Sequence, residues 1–244
     1  MFAAIDSVVG TPQAQLAGLT ADTTPRIQPG NFLTMTDPWW GTAELMYARA
    51  AGSIRAFGLC SLLPVFDSTL NSYRFDVSEV ANTANLGRML AVSQMALTVG
   101  QYSWFMISGL TPVNCNASVA ADTTFGIAAA GQGGANSAGK QVLNARVVAA
   151  ASTTVVKANC TGPNAGLLLQ VPNSDGWFVG AYLSGTGIAA GTTVASIDSS
   201  GRFVTLSAAM TAQVNGSVTA TYNNGTVFYN VAHLNRPFAQ GAIT

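Results

Sequence analysis

Near the C-terminus the chain alternates strictly: Val218, Ala220 and Tyr222 interleave with Ser217, Thr219 and Thr221. Side chains on a strand point to opposite faces in turn, so this is the pattern of a strand with one face buried. Short segments of the same character recur at 43–50, 53–66, 87–97, 102–108, 140–150, 177–183 and 202–207, rich in Val, Ile, Thr and aromatic residues and bounded by Gly, Asn, Asp and Pro. Asp198-Ser-Ser-Gly201 and Asn215-Gly216 read as hairpin turns between such runs. Met89 to Val99 has the alanine content of a helix, but its β-branched and aromatic surroundings predict a strand. No window keeps a 3.6-residue apolar period. The expectation is an all-β chain with an antiparallel β-barrel or β-sandwich core.

Punctuation divides the chain. Thr11-Pro12, Thr24-Pro25, Pro29-Gly30 and Asp37-Pro38 stop any regular element from running through residues 1–40, which predicts an extended N-terminal arm. Composition shifts near Thr161-Gly-Pro-Asn-Ala-Gly166, and residues 165–224 then read as a self-contained series of about five strands. Residues 225–244 resume the earlier Arg- and aromatic-containing character. The division expected is a β core of residues 41–164 and 225–244, with 165–224 as a small inserted β module.

Charge changes the picture most. Only 8% of the 244 residues are charged, against about 25% in ordinary globular domains. Ten basic and ten acidic residues cancel, so no net field draws nucleic acid or an anionic membrane. Nothing approaches the ~20 apolar residues of a membrane-spanning helix. The opening MFAAIDSVVGTPQAQ lacks a basic flank and carries Asp6 inside its apolar stretch, so no secretory signal is expected. Eight of the ten basic residues are Arg, the cation that tolerates burial in an interface better than Lys. A neutral surface of Ala, Gly, Thr, Ser and Asn fits a protein covered by other copies or other proteins.

Several motifs approach chemistry and stop short of it. Gly134-Ala-Asn-Ser-Ala-Gly139-Lys140 meets most of the phosphate-loop pattern, but Gln141 stands where Ser or Thr would hold magnesium, and a strand follows instead of a helix. Gly185-Thr-Gly187-Ile-Ala-Ala190 fits a loose dinucleotide fingerprint without the helix, or the later acidic residue, that the fingerprint needs. His233 is the single histidine, and Cys60, Cys115 and Cys160 are scattered without metal-ligand spacing. The cysteines read as reduced, buried thiols. No catalytic residue, cofactor or metal is expected. Trp39 and Trp40, on the Pro-rich arm, read as interface anchors rather than a sugar platform. With Phe32, and with Arg236 and Phe238 of the closing segment, they are the candidate interface residues.

Collinear segments carry a resemblance. DPWWGTAELMYARA, NTANLGRMLAVSQMALTVGQYSWFMISG, GKQVLNARVVAA and HLNRPFAQGAIT are similar, in order and spacing, to the small β-rich structural proteins that decorate or cement the capsids of tailed bacteriophages. FVGAYLSGTGIAAGTTVASIDSSGRFVTLSAAMTA resembles a β module that recurs in phage virion proteins. One departure is Ser103 in Tyr102-Ser103-Trp104, where such proteins carry Gly. The resemblance implies a capsid decoration protein on the outer capsid surface of the virion, in contact with the major capsid protein and itself usually a homotrimer, with no catalytic residues. The alternative is a head-fibre or tail component that binds a host glycan through its tryptophans.

Overall fold

The computed structural model describes residues 3–4, 20–37, 40–68, 71–198 and 200–242. The elements among them are strands and turns, with no helix. The chain divides into two compact units, one of Phe2–Ala150 with Tyr229–Thr244 and one of Ala151–Phe228. The all-β expectation holds.

The first unit contains β1 (Ala3–Ala4), β2 (Phe32–Asp37), β3 (Gly41–Ala50), β4 (Leu59–Asp67), β5 (Ser72–Glu79), β6 (Leu90–Ser93), β7 (Tyr102–Cys115), β8 (Gly126–Ala129), β9 (Gln132–Gly134), β10 (Val142–Ala149) and β17 (Phe228–Ala239). Hydrogen bonding runs β1-β2-β3-β5-β4-β6-β7-β17-β10, with β3 also paired to β7. The path β3-β5-β4-β6-β7 therefore returns to β3 and closes a five-stranded barrel. One stretch of β3 serves three neighbours, because β2 occupies one edge up to Met46 and β5 takes over that edge in parallel at Arg49 and Ala50. Closure leaves the ring without free edges.

The barrel interior follows from the register. Met46 opposes Phe105 across β3 and β7, Leu62 opposes Val77 across β4 and β5, and Cys60 opposes Ala91 across β4 and β6. These residues, with Ala48, Ala50 and Ile107, form the buried core cluster. Five strands enclose little space, so alanines must alternate with the large side chains. β3 and β7 are buried on their other face too, through Leu45, Tyr47, Trp104 and Met106. That accounts for their nearly continuous apolar sequence.

The second unit contains β11 (Thr154–Gly162), β12 (Leu168–Gln170), β13 (Tyr182–Ser184), β14 (Val194–Ile197), β15 (Phe203–Leu206) and β16 (Val214–Thr221), in the order β13-β16-β11-β12-β15-β14. Backbone bonds from Leu183 N to Thr192 O (2.8 Å) and from Val194 N to Ala181 O (2.9 Å) join β14 back to β13. This sheet closes as well, around Cys160, Leu169, Leu183, Val204, Val218 and Ala220. Trp177 is buried in the same unit, its indole donating to Val155 O at 3.2 Å.

Four expectations differ from the structure. Residues 32–37, assigned to the extended arm, form β2 and pair with β3 along its first half. The second unit begins at Ala151 rather than residue 165, because β11 is the strand that joins β16 to β12. Asn215-Gly216 is not a turn: both residues lie inside β16, opposite Thr161 and Cys160. Only Leu90–Ser93 of the segment 87–97 is a strand, since the chain turns at Gln94 to pass Leu97 against Ile54.

Candidate interaction surfaces

The motifs that approach chemistry are turns. Gly139 has a φ of +73°, Lys140 N bonds back to Ser137 O, and Lys140 Nζ donates to Asn82 Oδ1 at 3.0 Å. The lysine that a phosphate would need is therefore engaged with a carboxamide. At the other motif, Gly187 has a φ of +84° and Ile188 N bonds Gly185 O, a turn between β13 and β14. Both glycines are required for positive φ, not for approach of a phosphate. His233 is exposed on β17 opposite Arg146. Among the described residues no three His, Cys, Asp or Glu side chains come together as metal ligands. All three cysteines are free and buried. Burial pushes each thiol up from its ordinary value, Cys115 to about 11 against hydrogen bonds from Asn230 and Gly133 that lower it. Thiols so protonated are poor nucleophiles.

The candidate interface residues are dispersed. Phe32 begins β2 opposite Met46 with its ring half exposed. Trp40 is half-buried in the turn before β3, and Trp39 lies outside the described residues. Arg236 takes a φ of +51° within β17 and pairs with Glu44 Oε2 at 3.2 Å, both side chains well exposed. Phe238 opposes Leu143 across β17 and β10, and both side chains are more than a third exposed. Arg236 and Phe238 thus share one strand, while Phe32 belongs to another.

Two surfaces escaped the sequence reading. The first is the outside of the second barrel. Its outward strand positions carry Thr154 and Thr161 on β11, Thr205 on β15, and Thr219 and Thr221 on β16, with Val156, Leu168 and Phe203 among them. None of the outward positions on its six strands is Asp, Glu, Lys or Arg. Lys157 has the opposite parity, facing Val218, and its Nζ bonds Asn173 Oδ1 at 2.6 Å.

The second surface is the far half of the β4–β5 hairpin. β4 pairs with β6 only at Leu59–Ser61, and β5 pairs with β3 only at Asp76 and Val77. Beyond Leu62 and before Asp76 the two strands have only each other in the ladder, so the hairpin extends past the ring. Its front face continues the barrel column: Leu62 with Val77 inside, then Pro64 with Phe75, then Phe66 with Tyr73. Exposure rises along that column from 3% and 0% at the first pair to 52% and 71% at the last. The Phe66 and Tyr73 ring centroids lie 5.4 Å apart at 68°, an edge-to-face pair. Every charge on this stretch lies on the back face, where Arg74 bonds Asp67 and also bonds Asp76 at 2.9 Å. Arg49 meets Asp76 from β3 at 3.7 Å.

Compared with protein-family models, curated proteins and solved structures, the chain matches none of them.

Proposed function

We propose that this chain is a capsid decoration protein of a tailed phage, binding the shell of major capsid protein from outside, stabilising it, and associating with itself as a homotrimer. The observation that carries the reading is the uncharged, threonine-rich set of outward strand positions on the second barrel. Covering such a surface strands no ion, whereas burying an ordinary surface must desolvate charges at a cost of several kcal/mol each. A cement protein works by covering joints between shell subunits, and its binding adds to the stability of the native shell. The collinear segments that resemble phage decoration proteins support the same reading.

The test is co-sedimentation of the purified protein with shells assembled from the major capsid protein of the same genome. Saturable binding and a higher shell-disruption temperature are expected, with both effects reduced by Leu168→Glu and Phe203→Glu. No co-sedimentation at saturating protein overturns the reading. The second reading, a fibre or tail component that binds a neutral host glycan, draws on the same hydroxyl-rich exterior and its exposed Phe203. Retention on a neutral glycan array without shell binding would favour it.

A further inference from the structure

We infer that the far end of the β4–β5 hairpin is a self-association surface, on which Phe66 and Tyr73 of one copy pack against Phe66 and Tyr73 of a second copy. The inference rests on the homo-oligomeric part of the function proposed above and names a surface for it.

The front and back of this hairpin are chemically opposite. Asp67, Arg74 and Asp76 turn to the back and are paired there, while the front presents Pro64, Phe66, Tyr73 and Phe75 with no charged group. A two-stranded ribbon outside a sheet is marginal by itself. Here the ion-pair ladder stiffens it, and Gln28 Nε2 braces its end by donating to Tyr73 O at 3.0 Å and to Ser72 Oγ at 3.3 Å. The aromatic pair thus stands exposed on a ribbon that is ion-paired on its back face and braced at its end.

Charge complementarity selects the partner. A charged partner finds no counter-ion on the front face, and a saccharide finds the nearby Gln28 Nε2 already donating to Tyr73 O and Ser72 Oγ. An uncharged apolar surface fits, and the tip of another copy is one. In an edge-to-face pair one ring leaves a free face and the other a free edge, so the same pair brought in by a second copy complements it. Area sets the strength. With aromatic side chains of 150–250 Å², exposures of 52% and 71% leave roughly 250 Å² per copy to bury. A stable interface of standard size needs about 800 Å² from each partner. The tip contact is therefore weak alone and contributes as one of several contacts in an assembly.

The buried native thiols allow a direct test in the full chain, because a cysteine placed on the surface is then the single accessible one among the described residues. Phe66→Cys is oxidised beside Thr211→Cys, a control on an exposed loop of the second unit. Copies that meet at their tips hold the introduced thiols at high effective concentration, so disulfide dimer should form about tenfold faster or more with Phe66→Cys than with the control. Sedimentation of the Phe66→Ser, Tyr73→Ser double variant should show weaker self-association than the wild type. Equal cross-linking rates overturn the assignment. Where rates are equal and the wild type is still oligomeric, another surface holds the oligomer and the proposed function stands. Where the double variant keeps wild-type association but loses binding to shells or to a neutral oligosaccharide, the tip faces that partner and the assignment also falls.

Discussion

The Tyr47 hydroxyl donates a 2.8 Å hydrogen bond to Asp22 Oδ2, joining the first barrel to the segment that leads into β2. The ring stacks on Tyr102, with centroids 6.1 Å apart, and tilts against Trp104 at 5.2 Å. Asp22 also pairs with Arg26 at 2.6 Å and exchanges backbone bonds with Tyr102. Burial pushes the Tyr47 phenol well above its ordinary value, so it remains a donor throughout the neutral range.

Removing that donor should be felt. Tyr47→Phe leaves the Asp22 oxygen short of a partner and should cost about 1.5–3 kcal/mol, the range for a hydrogen bond to a charged group. Urea unfolding measures it directly. Unchanged stability would mean that the stacking and the Asp22–Tyr102 backbone bonds hold residues 20–31 without the hydroxyl.

The second barrel should be separable. Ala149, the last residue of β10, opposes Val231 near the start of β17, and Asn223 Nδ2 donates to Ala151 O at 2.6 Å where the chain enters and leaves the Ala151–Phe228 unit. Both excisions therefore cut between nearby ends. Joining Ala150 to Tyr229 through Asn-Gly should leave a chain that melts cooperatively, and residues 151–228 alone should do the same. Calorimetry showing a broad, non-cooperative transition for either would merge the two cores into one.

Alkaline pH should weaken the fold through its buried thiols. Burial raises Cys115 from 9.0 to about 11, so between those values the unfolded chain has released the proton and the folded one still holds it. Folding then binds a proton, and stability falls with rising pH by about 1.4 kcal/mol per unit for this group. The contribution is complete below pH 9 and is lost as pH rises through the folded value. Cys115→Ala should flatten the slope of unfolding free energy against pH by that amount, independently of any offset from the cavity.

Gly109 lets the backbone of β7 pass close to that of β3. Its φ is +110°, and a Cβ there would stand 2.8 Å from Thr42 O and 3.0 Å from Ala43 Cα, both backbone atoms that cannot swing aside. Gly109→Ala combines backbone strain with a clash and should destabilise by more than about 1 kcal/mol. A midpoint of denaturation equal to wild type would show that the two strands can separate at no cost.

What the sequence determined by itself is local. Alternation at Val218 to Tyr222 is a property of neighbouring residues, and it marks a strand whichever partner that strand takes. The turn at Asp198–Gly201 was legible for the same reason: Asp198 accepts from the backbone N–H groups of Ser200, Arg202 and Phe203, a closure within six residues. Scarcity of charge is likewise a fact of composition.

Partnership was decided only in three dimensions. Asn215-Gly216 has turn chemistry, but β11 pairs with β16 on both sides of it, and ladder bonds along the strand outweigh a local preference. The start of the second unit was hidden because Ala149-Ala-Ala-Ser-Thr-Thr154 carries no glycine or proline, although the chain changes barrels there. Phe66 and Tyr73 follow the same alternation as Leu62 and Val77, and no pattern of residues tells which pair lies inside the ring. Where β6 and β3 stop pairing with the hairpin settles it. Exposure depends on which strands run alongside, and that is a property of the closed barrel rather than of any segment in it.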